Sequence, residues 1–175
     1  MKRLKYLAIV FASVMVFSCG SKEEKKSVAK APTAPEMTET TTEPTKDITD
    51  DAVVEIMIHG TDKMTFDLKK IEVKAGQKVK LTLMHTGKMA KNVMGHNFVL
   101  LKNGVDMPTF ASKAASASDH DYIPENTDAV IAYTKLLGGG EQDTIEFTAP
   151  EAGVYDFLCT FPGHYALMKG KFIVE

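Results

Sequence analysis

Between residues 78 and 84 every second position is apolar. Lys78-Val79-Lys80-Leu81-Thr82-Leu83-Met84 places Val79, Leu81 and Leu83 on one side and Lys80 and Thr82 on the other. This period-2 alternation is what a strand with one buried face requires. Similar short runs predict strands at Val53–His59, Lys70–Val73, Asn97–Leu101, Val130–Thr134, Thr144–Thr148, Val154–Cys159 and Lys171–Val174. Eight short strands separated by Gly-, Pro- and Asp-containing turns predict an all-β fold, an eight-stranded Greek-key sandwich or barrel. The stretch from Asp106 to Asn126 breaks the pattern. It is rich in Ala and Ser, does not alternate, and opens on Asp106 and Pro108, a helix-start signal, so it predicts a short helical flap.

The first fifty or so residues carry no such pattern. Met1-Lys2-Arg3-Leu4-Lys5 leads into an apolar run from Tyr6 to Phe17 and then Ser18-Cys19-Gly20, the layout of a secretory signal. The run is too short to span a bilayer. Residues 1–18 are therefore expected to be a signal peptide. Ser18-Cys19 resembles a bacterial lipobox, which implies cleavage before Cys19 and lipid on its thiol; the alternative is an ordinary cleaved signal with an incidental cysteine. Residues 19–51 hold Lys, Glu, Thr, Pro and Ala with almost no large apolar side chain, a composition that cannot offset the entropy of ordering. They predict a disordered tether, kept extended by Pro32, Pro35 and Pro44 and reaching some tens of ångströms at roughly 3 Å per residue. Residues 52–175 remain as the folded domain.

Composition adds two constraints. A chain of 175 residues with 44% hydrophobic content and a net charge of -2 fits one domain plus an appendage, and nothing in that balance favours nucleic acid. The chain has two cysteines, which in an exported protein would be expected to pair or to leave a reactive thiol. If Cys19 takes lipid and Cys159 takes a metal, no disulfide remains to be made.

The metal is suggested by the C-terminal run Cys159-Thr160-Phe161-Pro162-Gly163-His164-Tyr165-Ala166-Leu167-Met168, which gathers a thiolate, an imidazole and a thioether in one loop. His96 supplies a second imidazole at the head of an apolar strand. Two His, one Cys and a weak axial Met form the ligand set of a blue-copper centre, with one copper ion per chain. Strand geometry puts His96 on the side of Phe98 and Leu100, and Cys159 on the side of Phe157 and Tyr155. The Pro162-Gly163 turn then brings His164 back toward the same point. Taken singly, these residues read as a small buried hydrophobe, a surface histidine and a core methionine; it is their ordered combination that points to copper.

The motifs Lys91-Asn92-Val93-Met94-Gly95-His96-Asn97 and Cys159 to Gly170 closely resemble the azurin family. Ala129 to Lys135 and Gly140-Glu141 also match, so the similarity runs from about Val53 to the C-terminus. The resemblance implies a Gly95 carbonyl opposite Met168. It also implies that Asn97 ties the two ligand-bearing loops together, and that the backbone amides of Asn97 and Phe161 donate to the Cys159 sulfur. The chain departs from the family pattern in lacking Trp, with Phe98 beside the first ligand, and in carrying Tyr165 where a small residue is common. Val53 and Gly76 stand where azurins usually have a disulfide. His59, His85 and His120 default to solvated or hydrogen-bonded histidines, although His85 falls where many azurins hold a titrating histidine, which would link the potential to pH.

The expected function is electron transfer by Cu(I)/Cu(II) cycling, without enzymatic turnover. The edge of His164 is expected to emerge through an apolar ring of Met89, Val93, Met94, Phe161, Pro162 and Leu167, a surface suited to brief docking. The other reading of these side chains, Val93 above all, is loop core. The resemblance implies redox partners such as a c-type cytochrome or a periplasmic reductase or peroxidase. The location expected is the cell envelope, in the periplasm or on the outer-membrane surface. The alternative is copper storage or delivery. A cysteine hydrolase using Cys159 with His96 or His164 has no identifiable orienting acid.

Overall fold

A computed structural model describes residues 52–175. The signal peptide expected at 1–18, the lipidated Cys19 and the tether expected at 19–51 lie outside the described residues.

Two sheets face each other. One has the order β2-β1-β4-β7, built from β1 (Val54–Thr61), β2 (Thr65–Phe66), β4 (Lys78–His85) and β7 (Gln142–Thr148). The other has the order β3-β9-β8-β5-β6, from β3 (Lys70–Val73), β5 (Val99–Leu101), β6 (Val130–Tyr133), β8 (Gly153–Leu158) and β9 (Lys169–Val174). The pairs β1/β4 and β3/β9 are parallel and the other pairs antiparallel. All eight expected strands are present, and the two-residue β2 is an addition too short to leave a periodic signal.

The alternation in β4 does what the pattern predicts: Val79, Leu81 and Leu83 are buried while Lys80 and Thr82 are partly exposed. These side chains share one core cluster with Ile58 of β1, with Leu100, Phe157 and Phe172 of the opposite sheet, and with Phe98 just before β5. Fully burying each such side chain is worth about 1.5–3 kcal/mol, so this layer holds the sheets together.

β5 is buried on both faces. Leu100 points into the layer between the sheets, and Val99 and Leu101 point outward into a second cluster with Leu158, Phe110, Ala111, Ala114 and Ile123. That second cluster is the underside of the flap. Its helix, α2 (Met107–Ala114), starts as the sequence predicts, with Pro108 in the first turn and the Asp106 carboxylate accepting from the Thr109 backbone N–H at 3.0 Å.

The segments expected to carry the ligands lie just off the ends of the regular ladder. The expected strand Asn97–Leu101 is regular only from Val99, because the Phe98 N–H donates to the Thr134 side-chain oxygen instead of to a neighbouring strand. β8 likewise ends at Leu158, one residue before Cys159. A four-residue helix, α1 (Lys91–Met94), precedes Gly95; it has no side-chain cap and no buried residue, so nothing local announces it.

Candidate metal centre

His96 is placed by backbone first. It forms an isolated bridge with Leu137, His96 N–H to Leu137 O at 2.9 Å and Leu137 N–H to His96 O at 2.8 Å. Its ring is then oriented by Nε2, which donates to the Thr61 carbonyl at 2.9 Å. With the proton on Nε2, Nδ1 carries a free lone pair. Nδ1 is buried and has no hydrogen-bond partner. An unsatisfied buried acceptor costs about 1–3 kcal/mol, a cost that a bound metal ion removes. Gly60 leaves the room for this ring, since a Cβ there would stand 2.7 Å from His96 Cδ2.

Cys159 enters from the end of β8 on the face of Phe157 and Tyr155, as strand geometry predicts, and is wholly buried. Its Sγ lies 3.7 Å from His164 Nδ1 and 3.8 Å from the Gly95 carbonyl oxygen. Burial pushes the thiol pKa up to about 12, against the opposing effect of the Asn97 and Phe161 backbone amides directed at the sulfur. A thiolate here therefore needs a cation beside it.

His164 follows Gly163, whose φ of +82° makes the sharp return after Pro162. Burial, reinforced by the nearby His96 and His85, drives its pKa down to about 4, so the imidazole is neutral and able to ligate at neutral pH. Desolvation likewise lowers His96. One donor atom from each of His96, Cys159 and His164 lies within 4.8 Å of the others.

Met168 is fully buried, and its backbone closes the loop, accepting from Cys159 N–H at 2.9 Å and donating to His164 O at 2.8 Å. Gly95 cannot carry a side chain, because a Cβ would meet the Lys91 carbonyl at 2.5 Å and the Phe161 ring at 2.9 Å. Buried Asn97 joins three segments. Its Oδ1 accepts from the Thr160 N–H at 2.8 Å, and its Nδ2 donates to Thr160 Oγ1 at 2.7 Å and to the Asp121 carbonyl at 2.8 Å. The Phe161 ring packs on His164, centroids 4.6 Å apart, and on Tyr122 of the flap at 5.3 Å.

His164 is 3% exposed, with the Phe161 ring packed on it, so little more than an edge of the imidazole reaches the surface. Of the two defaults for His85, solvated or hydrogen-bonded, the second holds. His85 is fully buried, stacked on His96 with centroids 4.2 Å apart and planes 12° apart, and its Nε2 lies 2.8 Å from the Met94 carbonyl. The signal was present in the sequence, since His85 continues the buried row Val79, Leu81, Leu83. His59 and His120 fit their default, paired at 2.7 Å with Asp67 and 2.8 Å with Glu125. Of the expected ring, Met89, Val93, Pro162 and Leu167 are exposed and Met94 and Phe161 half-buried. Tyr165 turns toward the flap cluster.

A soft sulfur and two neutral imidazoles suit copper better than a hard cation, and the unpartnered His96 Nδ1 marks where an ion would be held. Residues 52–175 match the family model of copper binding proteins, plastocyanin/azurin family. The chain belongs to that family, and copper is its cofactor. Among its relatives, azurin of Bordetella pertussis is 44% identical over 117 residues, covering 65% of this chain and 78% of that protein. Azurin of Pseudomonas fluorescens biotype A is 41% identical over 129 residues, covering 71% and 100%. Auracyanin A, a blue copper protein of Chloroflexus aurantiacus, superposes with a TM-score of 0.64 at 35% identity, covering 71% of this chain and 100% of its own.

Proposed function

We propose that this protein is a one-electron carrier in which His96, Cys159 and His164 would hold copper, with Met168 and the Gly95 carbonyl as weaker contacts. Copper supplies reversible Cu(I)/Cu(II) cycling, and the protein supplies a fixed, dry cage for it. The observation that carries the reading is the buried His96 Nδ1, left without a partner in a site where the three donor atoms are already within 4.8 Å. The cage is preset: Thr61 holds the His96 ring, Asn97 locks the Cys159 loop to the His96 segment, and the loop hydrogen bonds to itself. Such preorganisation limits rearrangement between redox states. The alternative, copper storage or delivery, needs exchange, and a site whose surface-side imidazole is 3% exposed favours retention.

Electrons enter and leave through the apolar surface formed by Met89, Val93, Met94, Phe161, Pro162 and Leu167. Lys91, the nearest charge within α1, has its ammonium 3.5 Å from Glu141. The surface suits brief encounters with other exported redox proteins, such as a c-type cytochrome or a periplasmic reductase or peroxidase. After export under a signal peptide at 1–18 and its cleavage, lipid on Cys19 and a tether to residue 51 would hold residues 52–175 within reach of such partners at the cell envelope. Adding Cu(II) and then ascorbate tests the carrier reading. An intense band near about 600 nm that bleaches on reduction and returns on oxidation is expected; a colourless or weakly absorbing complex would promote metal handling.

A further inference from the structure

The turn after β1 grips two parts of the molecule at once. The Thr61 carbonyl takes the Nε2–H of His96. The next residue, Asp62, acts on the segment between β4 and α1. Its Oδ2 accepts from the Lys88 N–H at 2.8 Å and its Oδ1 from the Met89 N–H at 3.3 Å. Oδ1 also lies 3.9 Å from His85 Nε2, the ring stacked on His96. Gly87 is confined beneath it, since a Cβ there would collide with the carboxylate. The far side of this segment is tied by Gly139 N–H to the Met89 carbonyl at 2.8 Å. Hydrogen bonds to a carboxylate are about twice as strong as neutral ones, so Asp62 is the charged clasp of a loop that has no regular structure of its own.

We propose that Asp62 is a positioning residue for electron exchange: by clasping Lys88 and Met89 it holds the docking surface in fixed register with the His96 ligand. The Asp62 carboxylate hydrogen bonds to Lys88 and Met89 and not to a proposed copper ligand. The idea rests on the carrier reading and on the docking surface proposed above. Its physical basis is that a small misplacement of a contact surface relative to a reacting centre costs rate even when the centre is intact.

Electron self-exchange between Cu(I) and Cu(II) copies, read from NMR line broadening, tests this without an identified partner; one copy is oxidised as the other is reduced. Asp62→Ala is expected to slow self-exchange severalfold, with the visible spectrum of the copper site unchanged. Asp62→Asn, which keeps one acceptor oxygen, should fall between the two. Leu167→Glu serves as the control on the docking surface and should also slow exchange. A normal rate in Asp62→Ala beside a slow Leu167→Glu overturns the role of Asp62 and leaves the surface standing. Normal rates in both overturn the surface itself. A shifted visible spectrum in Asp62→Ala would place its action on the ligands and overturn the proposal. If Asp62→Ala does not fold, a wild-type rate in Asp62→Asn overturns it equally.

Discussion

The two segments that build the metal centre are held in opposite ways. His96 is fixed from outside: Leu137 brackets its backbone, Thr61 takes its Nε2–H, and His85 stacks on its ring. The loop from Cys159 to Met168 is fixed from within, by Cys159 to Met168, Met168 to His164 and His164 to Phe161 backbone bonds. One segment borrows rigidity from the sheet and the other folds up on itself, and Asn97 is the principal polar joint between them. A site assembled this way can keep three donor atoms together before any ion arrives, at the cost of leaving a lone pair and a buried thiol unsatisfied.

The largest effect should come from removing the sulfur. Cys159→Ser should abolish the visible band while the sheets still form, because a hydroxyl in place of the thiol leaves the rest of the core cluster intact. Persistence of the band would mean that the assigned ligand is wrong. Cutting the joint comes next. Asn97→Leu leaves the Thr160 amide and hydroxyl and the Asp121 carbonyl without their partner in a buried place, a loss of about 2–4 kcal/mol that denaturant unfolding would register. A loss no larger than that of a surface substitution would show that the two segments are held together by something other than Asn97.

Acid should separate the segments next. His164 has a folded pKa near 4 against an ordinary value of 6.5, so below pH about 6.5 the unfolded copper-free chain binds the proton more readily than the folded one. Stability of the copper-free protein should thus be full above that pH and fall by about 3 kcal/mol as pH drops toward 4. Chemical denaturation across this range, compared with His164→Phe, checks it; a flat profile in the parent would mean that the loop opens to water. Smallest is Gly60→Ala, whose Cβ would push on His96 at 2.7 Å. We expect a loss of about 1–3 kcal/mol from overpacking and a shifted band, because the sheet-held ligand has little freedom to retreat.

The sequence made much of this arrangement legible. The alternation in β4 marks its buried row, the Asp106 and Pro108 pair marks the start of α2, and the order of His96, Cys159 and His164 marks three side chains that the fold brings together, because each of these is a local pattern. What escaped depends on chain segments far apart. The burial of His85 follows the alternation of β4, but its stack on His96 is set by the parallel pairing of β1 and β4 and by the bridge to Leu137, neither of which leaves a mark near residue 85. Asp62 finds its partners 26 and 27 residues downstream. The four-residue α1 has neither cap nor apolar stripe. The near-complete covering of His164 arises from Phe161 folding over it, which residue spacing alone does not predict.

X-ray absorption at the copper edge, recorded for the oxidised and reduced protein, tests the central claim most directly. The account predicts one short copper–sulfur bond and two imidazole nitrogens in both states, with little change in distance between them, because both ligand segments are fixed before copper binds. A shell of oxygen and nitrogen without sulfur, or ligands that change on reduction, would contradict it.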